Sequence, residues 1–147
     1  MPIFIAHRGN INGVNPEEEN TLSYLRRAHE FGYGVECDLQ VHNDVLYFGH
    51  DEPQEPVDYH FISQPNVFCH AKSVDTMIVL LNSGVHCFYH QKDDMTLTSF
   101  GYMWCYPGFH PKDKRAIWLD LGNIPIPSID KKIYGICGDN INVFKNA

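Results

Sequence analysis

The sequence predicts an α/β fold in which parallel strands are joined by helices. In the first half of the chain, short apolar segments alternate with segments of helical periodicity, an order that favours a parallel sheet. In the second half the apolar segments continue, but the residues between them are too few for full helices. Any barrel that these strands form must therefore be small and lack several of its outer helices.

Length, charge and cysteine content limit the functions that this chain could have. The 147 residues are the length of one domain with a modest core, which we assign to residues 1–147. A net charge of −7 without a basic patch excludes a nucleic-acid backbone as partner. No apolar run reaches the roughly 18 residues of a membrane span, and the first one is too short for a signal peptide. Five scattered cysteines without a CxxC pair favour reduced thiols over disulfides, and a cytoplasmic location.

The first predicted elements are a strand and a helix. Residues 2–6 (PIFIA) form an apolar run with polar residues directly after it, which predicts a buried strand. Apolar residues at helical spacing from Leu22 onward predict a helix that Gly32 ends. We expect the glutamates at 17–19 in the first turn of this helix, because the positive end of its dipole favours acidic side chains.

The later elements follow from the same two periodicities. Residues 34–39 and 45–48 predict two strands, separated by a turn at 42–44. A strand over 67–73 and a helix over 74–82, stopped by Gly84, come next. The remaining predicted elements are strands at 85–90, 102–108, 116–121 and 133–141 and a short helical turn at 96–100.

Two carboxylates, Glu36 and Asp38, stand two residues apart on a predicted strand. A strand points residues i and i+2 to the same face, with Cα atoms about 7 Å apart. Two acids aimed together are costly unless a cation or a proton lies between them. The pair therefore predicts a cation site, with the solvated polar face of an edge strand as the alternative.

Several short motifs follow one another in a fixed order. They are His7-Arg8-Gly9, Glu19-Asn20-Thr21-Leu22, Ala28 and Gly32, Glu36-x-Asp38, Asp44, and His50-Asp51. In order and spacing they resemble the glycerophosphodiester phosphodiesterase family of phospholipase C-like phosphodiesterases, which have a (β/α)8 barrel. The match covers the first third of the chain, and Asp139 resembles the aspartate that ends the family's last strand. Family members are usually much longer, so the resemblance implies a short, divergent member with a truncated TIM-like barrel.

The resemblance implies roles for residues of three of these motifs. His7 and His50 would be the acid/base pair that moves protons to and from the reacting oxygens. Glu36 and Asp38 would ligate a divalent metal ion, and carboxylate oxygens suit Mg²⁺, Ca²⁺ or Mn²⁺. Without the motif, two structural histidines would be the simpler interpretation.

Four further residues complete the predicted site. His70 occupies the place of a family glutamate two residues before Lys72; it either ligates the metal, shifting the preference towards Mn²⁺ or Zn²⁺, or binds a metal-bound water. Glu19 either completes the ligand shell or holds Arg8, with a first-turn helix glutamate as the alternative. Arg8 and Lys72 would bind substrate phosphate, although a structural ion pair remains open for Arg8 and a role without phosphate binding remains equally open for Lys72.

The predicted function is that of a metal-dependent phosphoric diester hydrolase acting in lipid metabolism on a small phosphodiester. A glycerophosphodiester is the default substrate by analogy alone, and a sphingolipid or a nucleotide remains open. The alternative is a degenerate member that binds a phosphorylated ligand or a partner chain without turnover. Because an incomplete barrel leaves apolar faces uncovered, we also expect a homodimer, with Tyr102, Trp104 and Trp118 as candidate contacts.

Overall fold

A computed structural model describes residues 1–121 and 126–145 of the chain, which contain ten strands and four helices. The strands are β1 (Ile3–His7), β2 (Gly34–His42), β3 (Val45–Phe48), β4 (Glu55–Pro56), β5 (Val67–Ala71), β6 (Cys87–Phe88), β7 (Met95–Leu97), β8 (Met103–Cys105), β9 (Ala116–Asp120) and β10 (Gly135–Gly138). The helices are α1 (Leu22–Glu30), α2 (Tyr59–Ile62), α3 (Val74–Ser83) and α4 (Asn142–Lys145). The longest helix has ten residues, and within the described ranges no helix is long and apolar enough to cross a membrane.

All ten strands belong to one mixed sheet. Seven of them are parallel, in the spatial order β8-β9-β10-β1-β2-β5-β6. β3 and β4 extend the sheet from β2 in antiparallel pairing, and β7 pairs antiparallel with β8. The carboxyl ends of the parallel strands therefore lie along one edge, where the register sets His7 beside Glu36 and Asp38 beside His70.

The sheet of the described residues is open, so the predicted small or truncated TIM-like barrel is not confirmed. No ladder joins β6 to β7 or β8 there, although the backbone N–H of Ser99 donates to the carbonyl of Cys87 at 2.8 Å across this gap. Between β6 and β10 the described residues form no helix, which agrees with the predicted loss of outer helices. The α/β prediction is confirmed at the level of a mixed sheet with helices.

Two apolar layers flank the sheet. One face packs against α1 and α3 through buried residues such as Leu25 and Leu80. The other face gathers side chains from six strands into one cluster of Ile5, Phe68, Phe88, Trp104, Ile117, Leu119 and Cys137. Trp104 and Trp118 are only 2% and 0% exposed, so the expectation that they form a surface contact was wrong.

Two local predictions were also wrong. The glutamates at 17–19 lie in a turn before α1, whose N-cap is Thr21, and its side chain accepts a hydrogen bond from the backbone N–H of Tyr24. Residues 95–97 form the strand β7 and not part of a helical turn, because pairing with β8 satisfies their backbone groups. The secondary structure of this segment is decided by a partner strand six or more residues away and not by local propensity.

Candidate functional site

The centre of the site is a cluster of Glu36 and Asp38 from β2 and His70 from β5. His70 Nδ1 lies 3.2 Å from Asp38 Oδ1 and 3.6 Å from Glu36 Oε2. Both carboxylates are 1% exposed, while Cys37 between them points into the apolar layer on the helix side. The strand alternation thus brings both acids to one imidazole, as the spacing predicts.

The electrostatics of the cluster are those of a cation held between two anions. Burial favours the neutral form of Asp38, but the hydrogen bond and charge of His70, with Arg8 and Asn20, hold the pKa of Asp38 well below its usual range. Burial likewise opposes protonation of His70, but Asp38 and Glu36 outweigh it and raise the pKa of His70. A proton on His70 therefore balances part of the carboxylate charge.

The donor set fits a divalent metal ion. One atom each from Glu36, Asp38 and His70 lie within 4.8 Å of one another. Ligands on an ion at about 2.1 Å are separated by roughly 3.0–3.5 Å along an edge of the coordination shell, close to the two distances to His70 Nδ1. Asn20 fixes Asp38 by donating to Oδ2 at 2.9 Å and accepting from the Asp38 backbone N–H at 2.9 Å. The Oδ1 atom remains directed at His70.

Arg8 lies beside this cluster in a left-handed backbone conformation with φ of 56°. Its Nε is 3.2 Å from Asp38 Oδ2, and its Nη1 is 3.4 Å from Glu19 Oε1. Burial lowers the pKa of Arg8, but Asp38, Glu36 and Glu19 together raise it, so the guanidinium stays charged. Glu19 also accepts hydrogen bonds from Asn10 and from the backbone N–H of Asn15. Through these contacts Glu19 holds the Arg8 side chain in place.

His7 is oriented by a carboxylate at the end of the last strand. Its Nδ1 lies 2.8 Å from Asp139 Oδ1, and its Nε2 lies 3.8 Å from Glu36 Oε1. Burial lowers the pKa of His7, but Glu36 and Asp139 outweigh burial and the pKa is raised. Asn10 donates to the same Asp139 oxygen at 2.9 Å. The Nδ1 hydrogen bond leaves Nε2 as the nitrogen that faces the carboxylate cluster.

His50 enters the site on a short loop after β3. The backbone N–H of Gly49 donates to the Asp38 carbonyl at 2.9 Å, and the Gln40 amide donates to the Gly49 carbonyl at 2.8 Å. Gly49 has φ of +150°, and a side chain there would collide with the carbonyl of Glu52. His50 Nδ1 is 2.8 Å from the Asp51 carboxylate, but the Asp51 side chain is 91% exposed, so this pair holds its ring less firmly than Asp139 holds the ring of His7.

One cavity of about 230 Å³ joins these residues. Its lining is His7, Arg8, Glu36, Asp38, His50, His70, Lys72, His90, Trp104, Tyr106, Leu119 and Leu121. Every predicted site residue except Glu19 is in that lining, and Glu19 lines an adjacent cleft that shares Arg8 and His50 with the cavity.

Sequence reasoning assigned no role to His90 and Tyr106, which also line the cavity. The His90 ring stacks on His70 at 5.1 Å and lies 3.9 Å from the Tyr106 ring. Burial lowers the pKa of His90 to about 4 and raises the pKa of Tyr106, so both side chains are neutral near pH 7. A signal existed: aromatic rings recur at every second position in 86–90 and in 102–106, which is typical of strands facing a common interior.

No protein-family model, no curated protein and no solved structure matches this chain. The geometry of the site is therefore the basis for a functional argument.

Proposed function

We propose that this protein is a metal-dependent phosphoric diester hydrolase, similar to glycerophosphodiester phosphodiesterases and built on a truncated TIM-like barrel. The observation that carries the proposal is that His7, Arg8 and His50 line the same cavity as the Glu36–Asp38–His70 cluster. These parts come from three separate regions of the chain. Together they provide acid/base groups, a phosphate-binding cation and a metal-ligand set.

Two imidazoles supply the proton transfers. His7 is held at Nδ1 by Asp139, and the more exposed His50 has Asp51 at its Nδ1, so each ring keeps a second nitrogen for chemistry. One ring takes the proton of the attacking hydroxyl, and the other gives a proton to the leaving oxygen. The buried His7 is the better placed base, because neighbouring carboxylates raise its proton affinity.

Arg8 and Lys72 bind the phosphate group. Arg8 keeps its charge in a partly buried position, where Glu19 and Asp38 fix the plane of the guanidinium. Lys72 follows β5 and lines the same cavity, so its ammonium adds a second positive charge near the anion. These cations offset the acidic lining, which would otherwise repel a phosphodiester.

Glu36, Asp38 and His70 would hold the divalent ion, Mg²⁺, Ca²⁺ or Mn²⁺. When bound, such an ion neutralises charge on a phosphate oxygen and lowers the pKa of a coordinated hydroxyl. His70 must lose its proton to ligate, so metal binding is expected to release a proton and to be weaker at acidic pH. The nitrogen ligand favours Mn²⁺ or Zn²⁺ over Ca²⁺.

A second candidate function is supported by His70 itself. Its imidazole is within ion-pair distance of both carboxylates, so the cluster is already partly charge-balanced by a proton. A protein of this kind would bind a phosphorylated ligand or a partner without turnover. The cytoplasmic location, the role in lipid metabolism and the homodimer are further parts of the proposal, and light scattering at micromolar concentration tests the dimer.

Hydrolysis of bis(p-nitrophenyl) phosphate with Mg²⁺, Mn²⁺ or Ca²⁺ tests the enzymatic function. We expect metal-dependent release of nitrophenol, reduced at least about 100-fold in His7→Ala and Glu36→Ala. His60→Ala and Glu30→Ala, at exposed positions on α2 and α1, are matched controls that should retain wild-type rates. Activity without added metal, or none under any condition, would favour the binding protein instead.

A further inference from the structure

Asn10 takes no part in the chemistry described above, yet its side chain joins two carboxylates of the site. It lies three residues after the end of β1 and is fully buried. Its amide nitrogen donates to Asp139 Oδ1 at 2.9 Å and to Glu19 Oε2 at 3.0 Å. A primary amide carries two N–H donors, so each carboxylate can receive one of them.

The orientation of this amide follows from its neighbours. Carboxylate oxygens accept hydrogen bonds, so the amide nitrogen and not the amide oxygen must face Asp139 and Glu19. The amide oxygen accepts from the Tyr24 hydroxyl at 2.9 Å. Both ends of the Asn10 amide are therefore hydrogen-bonded, and its plane is fixed.

Each of the two carboxylates supports a different part of the proposed site. Asp139 Oδ1, which accepts from Asn10, also lies 2.8 Å from Nδ1 of His7. Glu19 uses Oε2 for Asn10 and Oε1 for Nη1 of Arg8, which is 3.4 Å away. One buried amide thus connects the support of the proton-transferring imidazole with the support of the phosphate-binding guanidinium.

We propose that Asn10 is a positioning residue that fixes His7 and Arg8 relative to each other by acting through Asp139 and Glu19. The inference rests on the proposed function, since that function gives His7 and Arg8 their roles. Two carboxylates directed at one point repel each other, and the N–H donors of a neutral amide between them offset that repulsion without adding charge. Neither carboxylate can shift without losing its hydrogen bond to the amide, so the two supports are coupled.

Steady-state hydrolysis of bis(p-nitrophenyl) phosphate with Mn²⁺ tests the positioning role. Asn10→Leu is similar in size but has no donor, so we expect kcat to fall about tenfold or more as His7 loosens, and KM to rise about three- to tenfold as Arg8 loosens. Tyr24→Phe removes only the hydroxyl that holds the amide oxygen. It should change both constants in the same direction by about two- to threefold.

A matched control separates positioning from a general loss of stability. Thr76→Val also removes a buried hydrogen bond, which the backbone N–H of Val41 donates to the Thr76 hydroxyl at 3.0 Å on the helix side of the sheet. It should retain the wild-type kcat and KM. Wild-type constants in both Asn10→Leu and Tyr24→Phe, a change in only one of the two constants, or equal changes in Thr76→Val would overturn the inference.

Nuclear magnetic resonance of the side-chain amides gives a readout that does not depend on activity. We expect both Asn10 amide protons to resonate downfield of those of Asn82, which is exposed on α3, because both are donated to carboxylates. Asp139→Asn should move one of the two Asn10 protons and Glu19→Gln the other. Asn10 protons that neither substitution moves would overturn the bridge.

These measurements distinguish this inference from the hydrolase proposal. If the wild type hydrolyses the diester but Asn10→Leu does so equally well, only the role of Asn10 fails. If the wild type shows no hydrolysis, the hydrolase proposal fails, and calorimetry with inorganic phosphate and Mn²⁺ becomes the readout. Asn10→Leu should then bind phosphate about three- to tenfold more weakly than the wild type and Thr76→Val equally well. Equal phosphate affinity in Asn10→Leu, or no phosphate binding by the wild type, would overturn the inference as well.

Discussion

Two histidines at neighbouring strands have pKa values that are shifted in opposite directions. His70, near the carboxyl end of β5, is held by two carboxylates that raise its pKa. His86 precedes β6 at the other end of the sheet, where burial lowers its pKa to about 4. Its partners are the Thr98 hydroxyl at 2.7 Å and aromatic rings that include Phe100 at 4.3 Å. Burial opposes the charged form of both rings, and at His70 the neighbouring carboxylates outweigh it.

The difference divides the molecule into two ends. In the terms of the proposed function, we call the end with Glu36, Asp38 and His70 the reactive end and the end with His86 and Thr98 the stabilising end. In the register of β5 with β6, His70 is beside Phe88, and His86 precedes Cys87 at the level of Phe68. Both rings therefore come from the inner face of the curved sheet, about two residues apart along the strands. The carboxylates of β2 lie at the end of the sheet that carries His70, and the cluster that they form with it could hold a cation.

The largest expected effect comes from removing the charge that defines the reactive end. In Glu36→Gln we expect Mn²⁺ affinity, measured by calorimetry, to fall about 1,000-fold, since a neutral amide replaces a buried carboxylate ligand. Glu30→Gln, on the exposed face of α1, is the matched control and should bind Mn²⁺ as the wild type does. Unchanged Mn²⁺ affinity in Glu36→Gln would remove the physical difference between the two ends.

A smaller effect is expected from removing the Asp139 carboxylate, which orients His7 at the reactive end. In Asp139→Asn the His7 ring loses its anionic partner at 2.8 Å, so the pKa of His7 should fall and the diester hydrolysis rate should drop about 100-fold. Proton NMR titration of the imidazole and a pH–rate profile measure the two changes. Asp75→Asn, at an exposed position in the first turn of α3, is the control, and an equal loss of rate in it would contradict the orienting role.

At the stabilising end, the low pKa of His86 should make the free energy of unfolding depend on pH. The unfolded chain protonates His86 near pH 6.5, while the folded chain does so only near pH 4. Below pH 6.5 the unfolded state therefore binds more protons than the folded state. As far as His86 determines it, the free energy of unfolding has its full value above pH 6.5 and decreases as the pH falls to 4. His86→Gln should remove about 1–3 kcal/mol of the acid-induced loss of unfolding free energy, measured by urea denaturation.

A control and a contrary outcome sharpen this test. His60→Gln changes an exposed histidine on α2 and should keep the acid dependence of the wild type. If the stability of His86→Gln falls with acid as steeply as that of the wild type, the low proton affinity of His86 is not what distinguishes its end of the sheet.

The smallest effect concerns Thr98, whose hydroxyl is a hydrogen-bond partner of the His86 ring. The Thr98 hydroxyl contacts His86 Nε2 at 2.7 Å and accepts from the backbone N–H of Tyr102 at 3.1 Å. Thr98→Val keeps the shape and should cost about 1–2 kcal/mol of unfolding free energy. A cycle with His86→Gln should show non-additive costs, because the two side chains share a hydrogen bond. Strict additivity would mean that the aromatic rings alone hold His86.

Much of the first half of the fold was predictable because its signals are local. The strand over 45–48 has the predicted bounds, and the helix stop at Gly84 is a left-handed C-cap. The second half was less predictable, since its strands are short and depend on partners. The predicted strand over 85–90 shrinks to two residues, and the segment at 95–97 becomes a strand only through β8.

The predicted site residues were found because each stands in a motif with fixed spacing. His7, Glu36 and His50 belong to such motifs, and the structure brings them to one cavity. Tyr106 and His90 stand in no motif, because sheet register brings them to the cavity from distant parts of the chain. The contacts of Glu19 with Arg8 were one of two predicted roles, and only side-chain geometry selects between such alternatives.

The alternation along β2 has a consequence for how this chain can change. Glu36 and Asp38 face the cavity and Cys37 faces the helices, so a single-residue insertion or deletion upstream in the strand would exchange them. Both acids would then enter the apolar layer on the helix side, and the Cys37 thiol would replace them beside Arg8. Insertions or deletions in this stretch therefore preserve the site only when they comprise an even number of residues. The same rule applies to any shortened variant of the protein.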